Sequence, residues 1–169
     1  MVVAEKKAVK TIPEGYTAVT PWIISPDSAR LITFLTNAFG AEEIPGSRML
    51  SPEGKIVHVE VQVDDSIIML FDAAKSWPPT PAFIRLFVDN CEKSYNQAMK
   101  AGARGVTKPT MLSFGDKVAR IADPFGNVWW LQEHIEDAAS PSPSAEKAMK
   151  YVEDSLDTEL AKRSHPSTL

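Results

Sequence analysis

The chain has 169 residues, 44% of them hydrophobic and 24% charged, with a net charge of −4. That is one ordinary domain in size, with enough apolar content for a core that needs no metal or disulfide staple. The sequence carries no basic stripe for nucleic acid, no apolar run long enough to span a bilayer, no apolar leader and no second thiol beside Cys91. It therefore predicts a cytoplasmic protein without nucleic-acid or membrane partners.

Residues 1–16 read as an N-terminal arm ending in the turn-like Ile12-Pro13-Glu14-Gly15. Residues 19–24 are a short apolar strand, stopped by Ser25-Pro26-Asp27. A helix follows, capped by Asp27 or Ser28, with Leu31, Leu35, Ala38 and Phe39 at helical spacing. Gly40 stands where a left-handed C-terminal residue is wanted. Residues 55–63 alternate strictly, Val57, Val59, Val61 and Val63 against His58, Glu60 and Gln62, which predicts a strand with one apolar and one polar face. Asp64-Asp65 turns the chain, and residues 66–71 return as the partner strand. A proline-rich connection, Trp77-Pro78-Pro79-Thr80-Pro81, leads to a strand over 83–88. The second helix starts at Asn90, with Cys91, Tyr95, Ala98 and Met99 on one stripe and Gly102 as terminator. After a loop at Lys108-Pro109, residues 117–122 and 127–132 form a hairpin around Asp123-Pro124-Phe125-Gly126.

This order repeats. Strand, helix ending in Phe39-Gly40-Ala41 and hairpin recur as strand, helix ending in Ala101-Gly102-Ala103 and hairpin. Two such halves, about 17–75 and 82–137, can share one sheet. Residues 138–169 change in character: Ser140-Pro141-Ser142-Pro143 reads as a linker, and 145–163 as a charged amphipathic helix. Its narrow stripe is Met149, Val152, Leu156 and Leu160. Such a helix is marginal alone in water and is expected to pack on the domain or on a second subunit.

Over residues 17–137 the chain resembles the vicinal-oxygen-chelate superfamily of glyoxalase I, bleomycin-resistance proteins and extradiol dioxygenases, in particular its PhnB-like branch. The residues that carry the resemblance are Ala38-Phe39-Gly40-Ala41-Glu42, His58-Val59-Glu60, Asp65-Ser66-Ile67-Ile68-Met69-Leu70, Phe114-Gly115-Asp116, Asp123-Pro124-Phe125-Gly126-Asn127 and His134-Ile135-Glu136-Asp137. The resemblance implies an α+β fold of two βαβββ modules forming a curved eight-stranded sheet, with a concave ligand cup and a homodimeric assembly.

Enzymes of this superfamily hold a divalent metal with four cup residues, two per module. In the family pattern the first ligand opens the first strand, seven residues before the acidic residue that starts the helix; here that is Thr20, matched by Phe83 in the second module. The last ligand is the glutamate closing an Asp-Pro-x-Gly-x-x-x-Glu run, and here that run ends in Trp130. Pseudo-symmetry puts Met69 at the remaining position. Thr20, Met69, Phe83 and Trp130 are no donor set for a hard cation, so no metal and no cofactor is expected at the family's site.

Strand parity fills the cup instead. With Met69 facing inward, the Asp64-Asp65 turn pairs it with Glu60, and puts Gln62 opposite Ile67 and His58 opposite Phe71. Phe83, Arg85 and Phe87 point inward, as do Lys117, Ala119 and Ile121 beside Val128, Trp130 and Gln132; Thr20, Trp22 and Ile24 join them from the first strand. An aromatic cup with a few polar handles is what a small-molecule site looks like. The expected ligand-binding residues are Trp22, Phe83, Arg85, Phe87, Lys117, Trp130 and Gln132. His58 and Glu60 are candidates for proton transfer, since an imidazole beside a carboxylate suits a general base, but the pair also reads as plain hydrogen bonding. With His134 they could also form an unorthodox metal site. Arg85 reads equally as a partner for Glu60 or as a fork for a ligand carboxylate or phosphate. Trp22 and Trp130 read as stacking platforms or as packing; Trp129 and Cys91 read as core.

The expected function is a small-molecule-binding protein of the bleomycin-resistance type that captures a planar or hydrophobic ligand without the usual metal. The alternative is a glyoxalase-type lyase or isomerase, or a dioxygenase-like enzyme, using a metal or the His58/Glu60 pair.

Overall fold

The computed structural model describes residues 9–137 and 143–163. The first module runs β1 (Trp22–Ser25), α1 (Ser28–Phe39), β2 (Glu42–Glu43), β3 (Met49–Leu50), β4 (Ile56–Val63) and β5 (Ser66–Asp72). The second runs β6 (Phe83–Phe87), α2 (Cys91–Lys100), β7 (Arg104–Met111), β8 (Asp116–Ala122) and β9 (Val128–His134), and α3 (Pro143–Ala161) follows. The strands are hydrogen-bonded into two sheets, ordered β1-β5-β4-β2 with β3 on β4, and β6-β9-β8-β7. In each, the first strand lies parallel to the last strand of its module and the remaining pairs are antiparallel. This is the expected α+β pair of modules, with the sheet divided in two and a short additional strand, β3.

Local chemistry sets the helix ends. Asp27 caps α1 by accepting from the Arg30 N–H at 3.0 Å, and Gly40 closes it at φ 71°, its N–H returned to the Leu35 and Thr36 carbonyls. Asn90 caps α2 the same way, accepting from Lys93 N at 2.8 Å. Each module also spends a carboxylate from the end of its last strand on a helix N-terminus. Asp72 accepts from Ser28 N at 2.7 Å, and Glu133 accepts from Cys91 N at 2.9 Å. Negative charge there satisfies an orphan amide and meets the positive end of the helix dipole. The repetition of this device in both halves reinforces the duplication read from the sequence.

One core joins the modules. Leu31, Leu35, Val59, Val61, Leu70, Ile121, Trp129 and Leu131 are all buried in it, with Phe39 of α1 seated on Trp129 at 5.2 Å between centroids. Gln97 of α2 donates to the Asn37 carbonyl of α1 at 2.9 Å. The sheets thus present one face to α1 and α2, and α3 covers part of the other face of the second sheet around Val118, Arg120 and Trp130.

Three local expectations change. Val57 is half exposed, unlike Val59, Val61 and Val63, because the β3–β4 register shifts there and breaks the alternation. The segment around Lys108-Pro109 is strand β7 rather than loop; it is an edge strand with shifted registers, where a proline costs no ladder bond. The last hairpin turns over a longer loop than expected. Asn127 belongs to that loop, where its side chain and backbone N–H both bond Asp123, so Ala122 pairs with Val128. A one-residue slip reverses every face of β8.

Of the Ser140–Pro143 linker read from the sequence, residues 140–142 lie outside the described residues and Pro143 is already the first residue of α3. The α3 helix packs on β7 and β8, with Val152 1% exposed among Leu112, Val118, Trp130, Ala148 and Met149. Polar ties flank that contact: Arg104 to Glu159 at 2.6 Å, Thr107 to Ser155 at 2.7 Å, and Lys108 N to the Tyr151 hydroxyl at 3.0 Å.

Candidate functional site

The faces away from α1 and α2 are rich in rings. On the first sheet, β1–β5–β4 pairing aligns Trp22, Met69 and Glu60 across three strands. Trp22 stands edge-on to Phe71 at 5.7 Å, and Phe71 to Trp77 at 5.5 Å. Trp22 remains 57% exposed, a large apolar area for a ring held by its neighbours. Below it His58 Nε2 lies 3.2 Å from Glu60 Oε1. Tyr16 from the arm also bonds Glu60, and that hydrogen bond, with some burial and the carboxylate's charge, holds the phenol above its ordinary value.

On the second sheet, Arg85, Trp130 and Arg120 form one row across β6, β9 and β8. The guanidinium carbon of Arg120 is 3.9 Å from the Trp130 ring centroid and that of Arg85 4.7 Å. Both are cation–π contacts, in which the ring's negative face offsets part of the charge. Arg120 is only 2% exposed; it donates to the Val152 carbonyl of α3 at 2.6 Å and to Thr107 Oγ1 at 3.3 Å. Burial and then the charge of Arg85 push its pKa down to about 10. Phe83 and Phe87 flank the row on β6, 55% and 59% exposed. Gln132, 7% exposed, donates its amide N–H to Asp116, which also holds His134 Nδ1 at 2.6 Å.

The expected residues therefore divide. Trp22, Phe83, Arg85, Phe87, Trp130 and Gln132 lie on the faces away from α1 and α2. Lys117 does not: it pairs with Glu133 on the opposite face of β8 and reaches Glu92 of α2 at 3.3 Å. The hairpin slip that moves Lys117, Ala119 and Ile121 to the helix side brings Val118 and Arg120 to the cup side instead. Arg85 does not pair with Glu60, whose neighbours are His58 and Tyr16. Trp130 is already in contact with two guanidiniums, which leaves Trp22, Phe83 and Phe87 as the freer rings. Trp129 is fully buried in the core, with its indole N–H on Asp123 at 3.0 Å. Cys91 is buried as expected.

Arg120, Tyr16 and Trp77 stand beside the expected residues without having been among them. The register that reveals Arg120 depends on how many residues the hairpin loop takes. For Trp77, a tryptophan beside two prolines in a connection is a signal of a held ring, and it stands on Phe71.

The four positions expected to carry metal ligands offer a hydroxyl, a thioether and two aromatic rings. Two guanidiniums contact the Trp130 ring, placing positive charge where the last ligand would stand. That donor set does not fit a hard divalent cation. Among the described residues no three His, Cys, Asp or Glu side chains gather as a metal site, and His134 is held by Asp116 and Asp137 rather than beside His58.

In the single chain Trp22 on the first sheet and Phe83 and Phe87 on the second are each more than half exposed. A cleft of about 310 Å³ lies where the modules meet, lined by Thr17, Pro21, Ile67, Arg85 and Phe87 among others. Wider grooves of about 510 and 540 Å³ run past Asp64, beside α2 and beside the β9 end, and reach neither Trp22 nor Trp130. No helix among the described residues is long and apolar enough to cross a membrane.

Comparison with known proteins gives a consistent picture. Residues 16–131 match the family described as the Glyoxalase/Bleomycin resistance protein/Dioxygenase superfamily. An uncharacterized protein of Mycobacterium bovis is 31% identical over 131 residues, 71% of this chain and 85% of that protein. Among solved structures, TioX from Micromonospora sp. ML1 aligns with a TM-score of 0.59 at 18% identity, covering 70% of this chain and 99% of that one. TnmS3, an antibiotic binding protein from Streptomyces sp. CB03234, aligns with a TM-score of 0.55 at 18% identity, covering 70% and 98%.

Proposed function

The chain belongs to the glyoxalase/bleomycin resistance protein/dioxygenase superfamily, and on that premise we propose that it is a metal-free small-molecule-binding protein that captures a planar, largely apolar ligand. The observation that carries this reading is the shelf of Trp22, Phe83 and Phe87, each more than half exposed yet anchored on a strand. Rigid rings present large contact area with little conformational entropy to lose, which is what a binding face needs. The antibiotic-binding activity named for TnmS3 is the kind of role intended. The finer placement in the PhnB-like branch belongs to the same proposal, as does a homodimer. An open shelf in one chain becomes an enclosed site when a second copy covers it, and ligand pockets bury most of their ligand's surface.

Titration of the full-length, chelator-treated protein with a neutral planar probe, naphthalene-2-carboxamide, tests the reading by tryptophan fluorescence. Saturable quenching that Trp22→Ala and Phe87→Ala weaken supports it. Quenching that appears only after a divalent metal is restored would sink the metal-free reading.

A second reading rests on the 3.2 Å contact of His58 with Glu60 on the same face. The pair, with Tyr16 beside it, has the donors and acceptors for proton transfer to a bound ligand. Turnover of a ligand that disappears in both His58→Gln and Glu60→Gln, while binding persists, would identify an enzyme.

A further inference from the structure

The described residues leave four buried side-chain polar atoms without a hydrogen-bond partner, and three of them belong to one cluster: Arg120 Nε, Trp130 Nε1 and Gln132 Oε1. Buried polar atoms are nearly always paired, so three together mark a place built for something else. Two are N–H donors. The Gln132 assignment is fixed by its amide donating to Asp116, which turns Oε1 away as a free acceptor.

Charge points the same way. Arg120 is buried beside a second cation, Arg85, on a shared indole ring, and no carboxylate among the described residues bonds either one. Asp116, the acid of β8 on that face, is engaged by Gln132 and His134. A buried cation is ordinarily matched by a carboxylate, and a like-charged neighbour makes the mismatch worse. What answers Arg120 at present is neutral: the backbone carbonyl of Val152 in α3 and the Thr107 hydroxyl. Arg85 is exposed and lines the cleft between the modules, so one member of the cluster is open to solvent.

We propose that Arg85, Trp130, Arg120 and Gln132 form a carboxylate subsite of the cup, and that α3 covers it with the Val152 carbonyl standing in for the ligand's acid group. This rests on the small-molecule reading above and names the ligand class: a planar aromatic acid, its ring against Phe83 and Phe87, its carboxylate on the guanidiniums. Planar forks suit a flat carboxylate, and charge-assisted bonds are the strong ones. A hydroxyl or amino group on the ligand's ring would satisfy Gln132 Oε1. Reaching Arg120 displaces Val152, so ligand binding loosens α3.

The test compares naphthalene-2-carboxylate with naphthalene-2-carboxamide on the full chain, wild type and Arg85→Gln, by calorimetry, with hydrogen exchange of α3 measured at saturation. Arg85 is exposed, so its replacement leaves the fold intact, and circular dichroism checks this. The expected result is at least tenfold tighter binding of the acid than of the amide, loss of that preference in Arg85→Gln, and faster exchange in α3 when the acid is bound. Equal binding of acid and amide overturns the subsite while the small-molecule reading stands. Binding of neither probe overturns both. A preference for the acid that survives Arg85→Gln also refutes the subsite. Loss of the preference with unchanged exchange in α3 refutes the part assigned to Arg120 and the helix cover.

Discussion

Val152→Ala is the sharpest probe of how α3 is held. Val152 is 1% exposed and sits in a cluster whose other buried members among the described residues are Leu112 and Val118. Removing two methyl groups forfeits about 1.6 kcal/mol of transfer free energy at about 0.8 kcal/mol each, before any cavity term. The cluster is small and near the surface, so relaxation keeps that cavity term small. Alanine is the better helix former by about 0.5 kcal/mol, which offsets part of the loss. The net expectation is about 1 to 1.5 kcal/mol against docking, or roughly a five- to tenfold increase in the opening of α3. Hydrogen exchange followed by mass spectrometry reads this directly: peptides from α3 should exchange faster by that factor while α1 peptides stay unchanged, because undocking is local. Unchanged exchange in α3 would refute the packing of Val152 on Val118 and Leu112. Equal acceleration in α1 would show that the helix is part of the global fold rather than a cover.

Three further outcomes follow from named contacts. His134 is held above its ordinary value first by Asp116 and then by Asp137; the pairing therefore stabilises the fold below the unfolded histidine's value and fades as pH rises through the raised one. Asp116→Asn should lower the His134 midpoint in an NMR titration, and an unmoved midpoint would contradict the contact. Gly115 has φ +88°, and a Cβ there would meet the Glu136 carbonyl oxygen at 1.9 Å, whereas Gly40, at φ +71°, has nothing within 4 Å. Gly40→Ala should cost about 1 kcal/mol in urea denaturation and Gly115→Ala about 3 kcal/mol or more; equal losses would be inconsistent with that backbone contact. The Cys91 thiol is pushed up to about 12, chiefly by burial and then by the charge of Glu133, so iodoacetamide at pH 8 should leave it unmodified until the protein is unfolded.

Much of the fold is legible in the sequence because its signals are local. Asp27, Asn90, Gly40 and Gly102 mark helix ends through contacts within a few residues, and the alternation of Val59, Val61 and Val63 names a buried face without knowledge of its partner. The Asp64-Asp65 turn gives the pairs Glu60 with Met69 and Gln62 with Ile67 correctly. The face of β8 is different. It depends on whether Asn127 is strand or loop, and that is decided by its bonds to Asp123 rather than by any pattern along β8. A single residue in that loop separates a site containing Lys117 from one containing Arg120. The β7 strand escaped notice because Pro109 argues against a central strand, and only the sheet order shows that β7 is at an edge. Docking of α3 is non-local altogether: Met149 and Val152 read as an apolar stripe, but nothing along the chain says that Arg120 waits beneath them.

The most direct measurement of the central claim is an NMR map of where a planar ligand sits. Titrating the full chain with naphthalene-2-carboxamide and following the indole N–H signals of Trp22, Trp77, Trp129 and Trp130 with the methyl of Met69 separates the two faces of the sheets. Saturable shifts are expected at Trp22 and Met69, with Trp129, buried on the helix side, nearly still. Shifts confined to Trp129 and the groove beside α2, or no shifts at all, would contradict the claim.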